Sequence, residues 1–151
     1  MEAIIGFFSN ILSTILPFLF KKREPTEFDK QYEALRFDVA KALTMYACYY
    51  HNPVDLAQMP EHKLPQEYVT ASDELRKLGS SASALAVTIP EKEKKPPITK
   101  ADLDNVSGCL IGLSNSMTTP YNCGVSAHAL DFVAEREAAI RKLLHIEKNN
   151  S

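Results

Sequence analysis

Residues 3–20 carry no charged side chain, and this run of 18 constrains the fold more than any other feature of the sequence. Eighteen mainly apolar residues is the lower limit for a helix that crosses a bilayer core. At 1.5 Å per residue such a helix is about 27 Å long, which a little local thinning of the bilayer accommodates. Lys21, Lys22 and Arg23 follow the run instead of preceding it. A cleaved secretory signal has its basic residues first and small residues at a cleavage site afterwards, so this pattern reads as a retained anchor. Basic residues flanking a span stay on the cytoplasmic side, which places residues 24–151 there.

Set on a helix at 100° per residue, Glu2, Gly6, Ser9, Asn10, Ser13, Thr14 and Pro17 share one arc of about 140°, with Ile4, Phe8, Ile11, Leu12, Ile15 and Leu19 opposite. A helix with two such faces either crosses the membrane and packs its small face against a copy of itself, or lies in the interface. In-plane helices usually carry Lys or Arg on the polar face, and this arc is nearly uncharged, which favours crossing. Gly6, Ser9, Asn10 and Ser13 are then the candidate self-association positions, and Lys21, Lys22 and Arg23 the basic flank. The competing reading of the same run is a core helix of a soluble protein.

The anchor, residues 1–23, has a net charge of +2, so the overall charge of −2 leaves −4 on residues 24–151. A mildly acidic body lacks the basic stripe that displaces counterions from phosphates, and nucleic acid is not an expected partner. With 45% apolar and 24% charged residues the chain has a globular composition, and residues 24–151 suffice for one core without staples. The three cysteines, Cys48, Cys109 and Cys123, are widely spaced, form no CxxC pair, and read as reduced thiols.

Four helical patterns follow the anchor. Glu24, Pro25 and Thr26 form a hinge, Thr26 capping a helix with Glu27 and Asp29 in its first turn, where acidic groups suit the dipole. Phe28, Tyr32, Leu35, Val39, Ala42, Tyr46 and Tyr49 alternate steps of four and three, a heptad stripe that runs until Asn52 and Pro53 end the helix near His51. Pro65 suits the first turn of the next helix, whose stripe is Tyr68, Ala71, Leu75, Leu78, Ala82 and Leu85 and which stops before Pro90. The small residues from Gly79 to Ala84 permit close helix approach. A charged, proline-rich connector over 91–97 reads as solvated.

Thr99 caps the following helix, with Asp102 completing a loose capping box and Leu103, Val106, Leu110, Leu113 and Met117 as its stripe. After turn chemistry at Asn122, Cys123 and Gly124, Ser126 or a neighbour opens the last helix. Its apolar face holds Ala129, Val133, Ile140 and Leu144, widened by Phe132, Leu143 and Ile146. No strand has a firm signal, residues 86–89 being a brief ambiguity. The expected fold is all-α: an N-terminal membrane helix over 1–23, then an antiparallel up-and-down four-helix bundle over 24–151.

Residues able to carry chemistry are few. Cys48, Tyr49, Tyr50 and His51 crowd the end of one helix, and Tyr46, Tyr50 and His51 are candidate pocket residues, although adjacent helical positions point in different directions. His128, Asp131 and Glu135 share a helical face, but the facing Glu-x-x-His pairs of a bundle metal site are lacking, so no metal is expected. Ser107, Ser114, Asn115 and Ser116 have no base paired with them in sequence. Phosphate loops, G-x-S-x-G and HExxH are missing, which argues against the common enzyme classes. The expectation is a membrane-anchored, non-enzymatic interaction or scaffold bundle without cofactor, whose partners are the membrane and either a protein or further copies of itself. The alternatives are an oligomerising, membrane-perturbing effector and a small membrane-bound ligand carrier or enzyme.

Overall fold

A computed structural model describes residues 24–91, 96–117 and 127–147, with side chains from 131 onward in the last stretch. Its α-helices are α1 (Glu27–Met45), α2 (Ala47–Tyr50), α3 (Gln66–Ala86), α4 (Lys100–Ser116) and α5 (Ala127–Leu143). Two 3-10 turns, Leu56–Gln58 and Pro60–His62, lie between α2 and α3. Among the described residues there is no strand: Ala86 ends α3 and residues 87–88 follow it as a turn. No helix among them is long and apolar enough to cross a membrane. The expected anchor, with Gly6, Ser9, Asn10, Ser13 and the basic flank, lies outside the described residues, as does the turn at Asn122, Cys123 and Gly124.

The helix starts follow their caps. Thr26 Oγ1 accepts from the Asp29 amide at 3.2 Å while Asp29 Oδ2 accepts from the Thr26 amide at 2.8 Å, a complete capping box. Thr99 Oγ1 accepts from the Asp102 amide at 3.1 Å, half of such a box. Pro65 sits one residue before α3, its carbonyl accepting from the Tyr68 and Val69 amides. The last helix ends in a Schellman motif: the Ile146 amide donates to the Arg141 carbonyl at 2.8 Å and the His145 amide to that of Lys142 at 3.3 Å. His145 takes the left-handed position that glycine usually fills, at φ 52°.

The heptad stripes become the core. Phe28, Tyr32, Leu35, Val39 and Ala42 of α1 are buried against Ala71, Leu75, Ala82 and Leu85 of α3, the whole of the α4 stripe, and Val133, Ile140 and Leu144. Two expectations fail. Phe132 is 57% exposed, with the Arg136 guanidinium 5.9 Å from its ring centroid, and does not widen the core. The first helix also does not run unbroken to His51: it breaks at Tyr46 (φ −104°, ψ 6°) and restarts as α2. The break turns Tyr50, absent from the stripe, fully inward, and its hydroxyl donates at 2.8 Å to the Leu43 carbonyl, which an unbroken helix would offer to the amide four residues on.

Contacts between helices run in opposite senses. The rings of Tyr49 and Tyr68 meet at 4.9 Å at one end of the α1–α3 pair, while Leu35 and Leu85 line the same groove near the other. Ser72 meets Ser114, and Gly79 lies against Ser107 and Ile111, so α3 and α4 are antiparallel. A Cβ built on Gly79 would stand 3.1 Å from the Ser107 carbonyl oxygen, which is why a small residue is needed there. On α5, Arg36 reaches the Leu144 carbonyl and His51 reaches Glu137, again an antiparallel sense. The assembly is a helical bundle.

Candidate functional site

The break after Met45 gathers the sequence candidates into one corner. Tyr46 and Tyr49 are half-buried with ring centroids 6.3 Å apart, and Tyr49 packs edge-on against Tyr68. The Tyr68 hydroxyl donates to the Asn52 carbonyl at 2.8 Å, and the Asn52 side chain donates to the Cys48 carbonyl at 2.7 Å. These bonds tie α2 to the first turn of α3.

Tyr50 and His51, with ring centroids 4.7 Å apart, face α5. His51 Nε2 lies 2.9 Å from Glu137 Oε2, and Arg141 Nε donates to Glu137 Oε1 at 3.1 Å, so one carboxylate joins the loop after α2 to two turns of α5. Burial pushes the Tyr50 hydroxyl well above its ordinary pKa, with Glu137 adding to the rise and Arg141 opposing it. The hydroxyl stays protonated and acts as a structural donor. What faces the His51 ring nitrogen is a carboxylate, not the thiol of Cys48. Arg141 is expected from the sequence only as a basic residue suited to the helix C-terminus; its pairing with Glu137 is not, although their i, i+4 spacing is the signal that would have found it.

The other polar candidates are similarly engaged. Ser114 Oγ is buried, 2.7 Å from Ser72 Oγ and donating to the Ser72 carbonyl at 2.9 Å; Ser116 Oγ donates to the Leu113 carbonyl. Asn115 accepts from Arg76 at 3.3 Å. Ser107 is buried, its carbonyl against Gly79. Cys48 is exposed and Cys109 half-buried, its thiol pushed upward by burial, with Arg136 opposing. A raised thiol pKa keeps Cys109 protonated and a weak nucleophile. Asp131 and Glu135 are exposed, the His128 side chain lies outside the described residues, and among those described no three His, Cys, Asp or Glu groups gather to hold a metal.

A cavity lies elsewhere among the described residues. An open groove of about 390 Å³ runs between α1 and α3, and none of Tyr46, Tyr50 or His51 lines it. Gln31, Ala34, Leu35 and Asp38 form its α1 wall, at i, i+3, i+4 and i+7 of one helical stripe. The α3 wall includes Ser81, Ala84 and Leu85. Partial burial raises the pKa of Asp38, with Lys41 opposing and Glu74 adding to the rise. Small side chains make the groove, since Ala34, Ser81 and Ala84 leave space that larger residues would fill.

No protein-family profile, curated protein or solved structure matches this chain.

Proposed function

We propose that this chain is a membrane-anchored interaction or scaffold protein of non-enzymatic character, with residues 24–151 forming an antiparallel up-and-down four-helix bundle on the cytoplasmic side. The observation that carries this reading is the uncharged run over residues 3–20 with Lys21, Lys22 and Arg23 directly after it. The bonding pattern of the bundle supports it. Tyr50, His51 and Ser114, the side chains best suited to chemistry, are spent on joining elements: Tyr50 to Leu43, His51 to Glu137, Ser114 to Ser72.

The test is flotation of the full-length chain with vesicles of phosphatidylcholine and phosphatidylglycerol, beside the Ile11→Asp/Ile15→Asp variant. Each aspartate at the centre of a span costs about 3 kcal/mol, so the wild type should float and the variant remain at the bottom of the gradient. Recovery of the wild-type chain at the bottom removes the anchor and the reading with it.

A further inference from the structure

The groove between α1 and α3 opens beside the point at which the N-terminal segment joins the bundle. Its α1 wall begins at Gln31, one turn into a helix that starts at Glu27. Glu24, Pro25 and Thr26 stand between that segment and α1, and three residues is a connector length that joins the two legs of an antiparallel helical hairpin.

Folding the chain back about Pro25 sets positions equidistant from it against one another. Leu19 then falls opposite Gln31, Leu16 opposite Ala34, Ile15 opposite Leu35 and Leu12 opposite Asp38. The four returning positions are all apolar and repeat at i, i+3, i+4 and i+7, the spacing of the wall they meet, with Leu16 and Ile15 on its apolar Ala34 and Leu35 and with Leu19 and Leu12 at its polar ends, Gln31 and Asp38. Pro17 falls on the opposite arc of such a helix. The small side chains Ala34, Ser81 and Ala84 let a third helix approach closely, its larger residues entering the space they leave.

We propose that the groove is a docking site for residues 12–19 of the same chain, which occupy it when no bilayer is present. Membrane and groove then compete for one apolar face, so the bundle shields its own anchor and releases it on meeting lipid. This inference rests on the anchoring reading, because a segment with no affinity for lipid would have nothing to compete for.

The sequence contains no tryptophan, so a single Leu16→Trp change in the full-length chain gives an unambiguous reporter. Without vesicles its emission should be blue-shifted, and adding Ala84→Arg should shift it red. Ser81→Arg is the second blocking variant; both positions are exposed, so the fold should survive, as far-UV circular dichroism will check. With phosphatidylcholine–phosphatidylglycerol vesicles every version should turn blue. The blocked chains should also partition at about fivefold lower lipid concentration, since docking no longer removes the competent state.

Red emission without vesicles, or emission indifferent to both arginines, overturns the proposal. Blue emission that grows with protein concentration alongside a dimer in sedimentation velocity assigns the groove to a second copy, and also overturns it. Failure of every version to partition overturns the anchoring reading and the competition, while the vesicle-free emission still decides whether the groove is filled.

Discussion

Arg36 holds the end of the last helix to the first, and its removal should be among the most costly single changes outside the apolar core. Its Nε donates to the Leu144 carbonyl at 2.6 Å and its Nη2 to the His145 carbonyl at 3.0 Å, satisfying carbonyls that a helix end leaves open. Nη1 also bonds both oxygens of Glu33, at 2.9 and 2.8 Å. The Arg36 side chain is 24% exposed and that of Glu33 only 7%, so Arg36→Met leaves a carboxylate in a place that water reaches poorly. A hydrogen bond to a charged group contributes about 1.5–3 kcal/mol, and stripping one partner from a buried pair costs about 3–5 kcal/mol. Discounting for the exposed quarter of the guanidinium gives an expected loss of about 3 kcal/mol, read by urea unfolding at constant m-value. Glu33→Met/Arg36→Met should lose at least about 1 kcal/mol less than the sum of the single changes, because the stranded carboxylate is gone. A loss under about 0.5 kcal/mol for Arg36→Met, or strict additivity in the double variant, would refute this account.

Two buried tyrosines should respond in opposite directions when the hydroxyl is removed. Tyr50→Phe strands the Leu43 carbonyl and should cost about 1–2 kcal/mol, whereas the buried Tyr32 hydroxyl has no partner among the described residues, so Tyr32→Phe should be neutral or stabilising by about 1 kcal/mol; urea unfolding measures both. Burial pushes Tyr32 to about 12, partly opposed by Arg36. A raised folded-state pKa gives stability that is whole below the unfolded value near 10 and fades as pH climbs towards 12, so Tyr32→Phe should flatten the loss of stability over that window in alkaline unfolding curves. His145→Gly should raise the melting temperature, the gain being about 1 kcal/mol, because the left-handed φ of 52° penalises a side chain. Gly79→Ala gains about 1 kcal/mol of helix propensity but sets a Cβ 3.1 Å from a backbone oxygen and 2.9 Å from Ile111, so overpacking should win and thermal unfolding show a net loss.

The bundle was legible because its information is periodic. Steps of three and four placed Phe28, Leu35, Val39, Leu75, Leu103, Val106 and Leu110 in the core, and Thr26 and Thr99 declared two helix starts through side-chain chemistry that needs no tertiary context. The Tyr46 break was not legible. It goes together with the Tyr50 hydroxyl taking the Leu43 carbonyl, a bond that depends on Tyr50 being buried, and no local pattern of residues 43–50 announces it. Phe132 failed for a related reason: a stripe says which residues share a face, not how wide the neighbouring helix makes the contact. The groove was invisible because it is defined by what Ala34, Ser81 and Ala84 leave empty across two helices far apart in sequence.

The same geometry separates the two sets of candidate residues. Arg36 and the carbonyls of Leu144 and His145 show that α1 begins at the end of the bundle where α5 finishes. The 19 residues of α1 rise about 28 Å at 1.5 Å per residue, and the corner of Tyr46, Tyr50 and His51 lies past its far end from the hinge. In the proposed arrangement the groove and the ends of α1 and α5 face the membrane, while the tyrosine-rich corner is carried away from it. A partner bound at that corner would therefore neither touch lipid nor compete with residues 12–19, and anchoring and partner binding should respond to separate substitutions. A partner that instead required Ala34 or Ala84 would meet the chain only after the anchor had left the groove, which would couple its binding to the membrane.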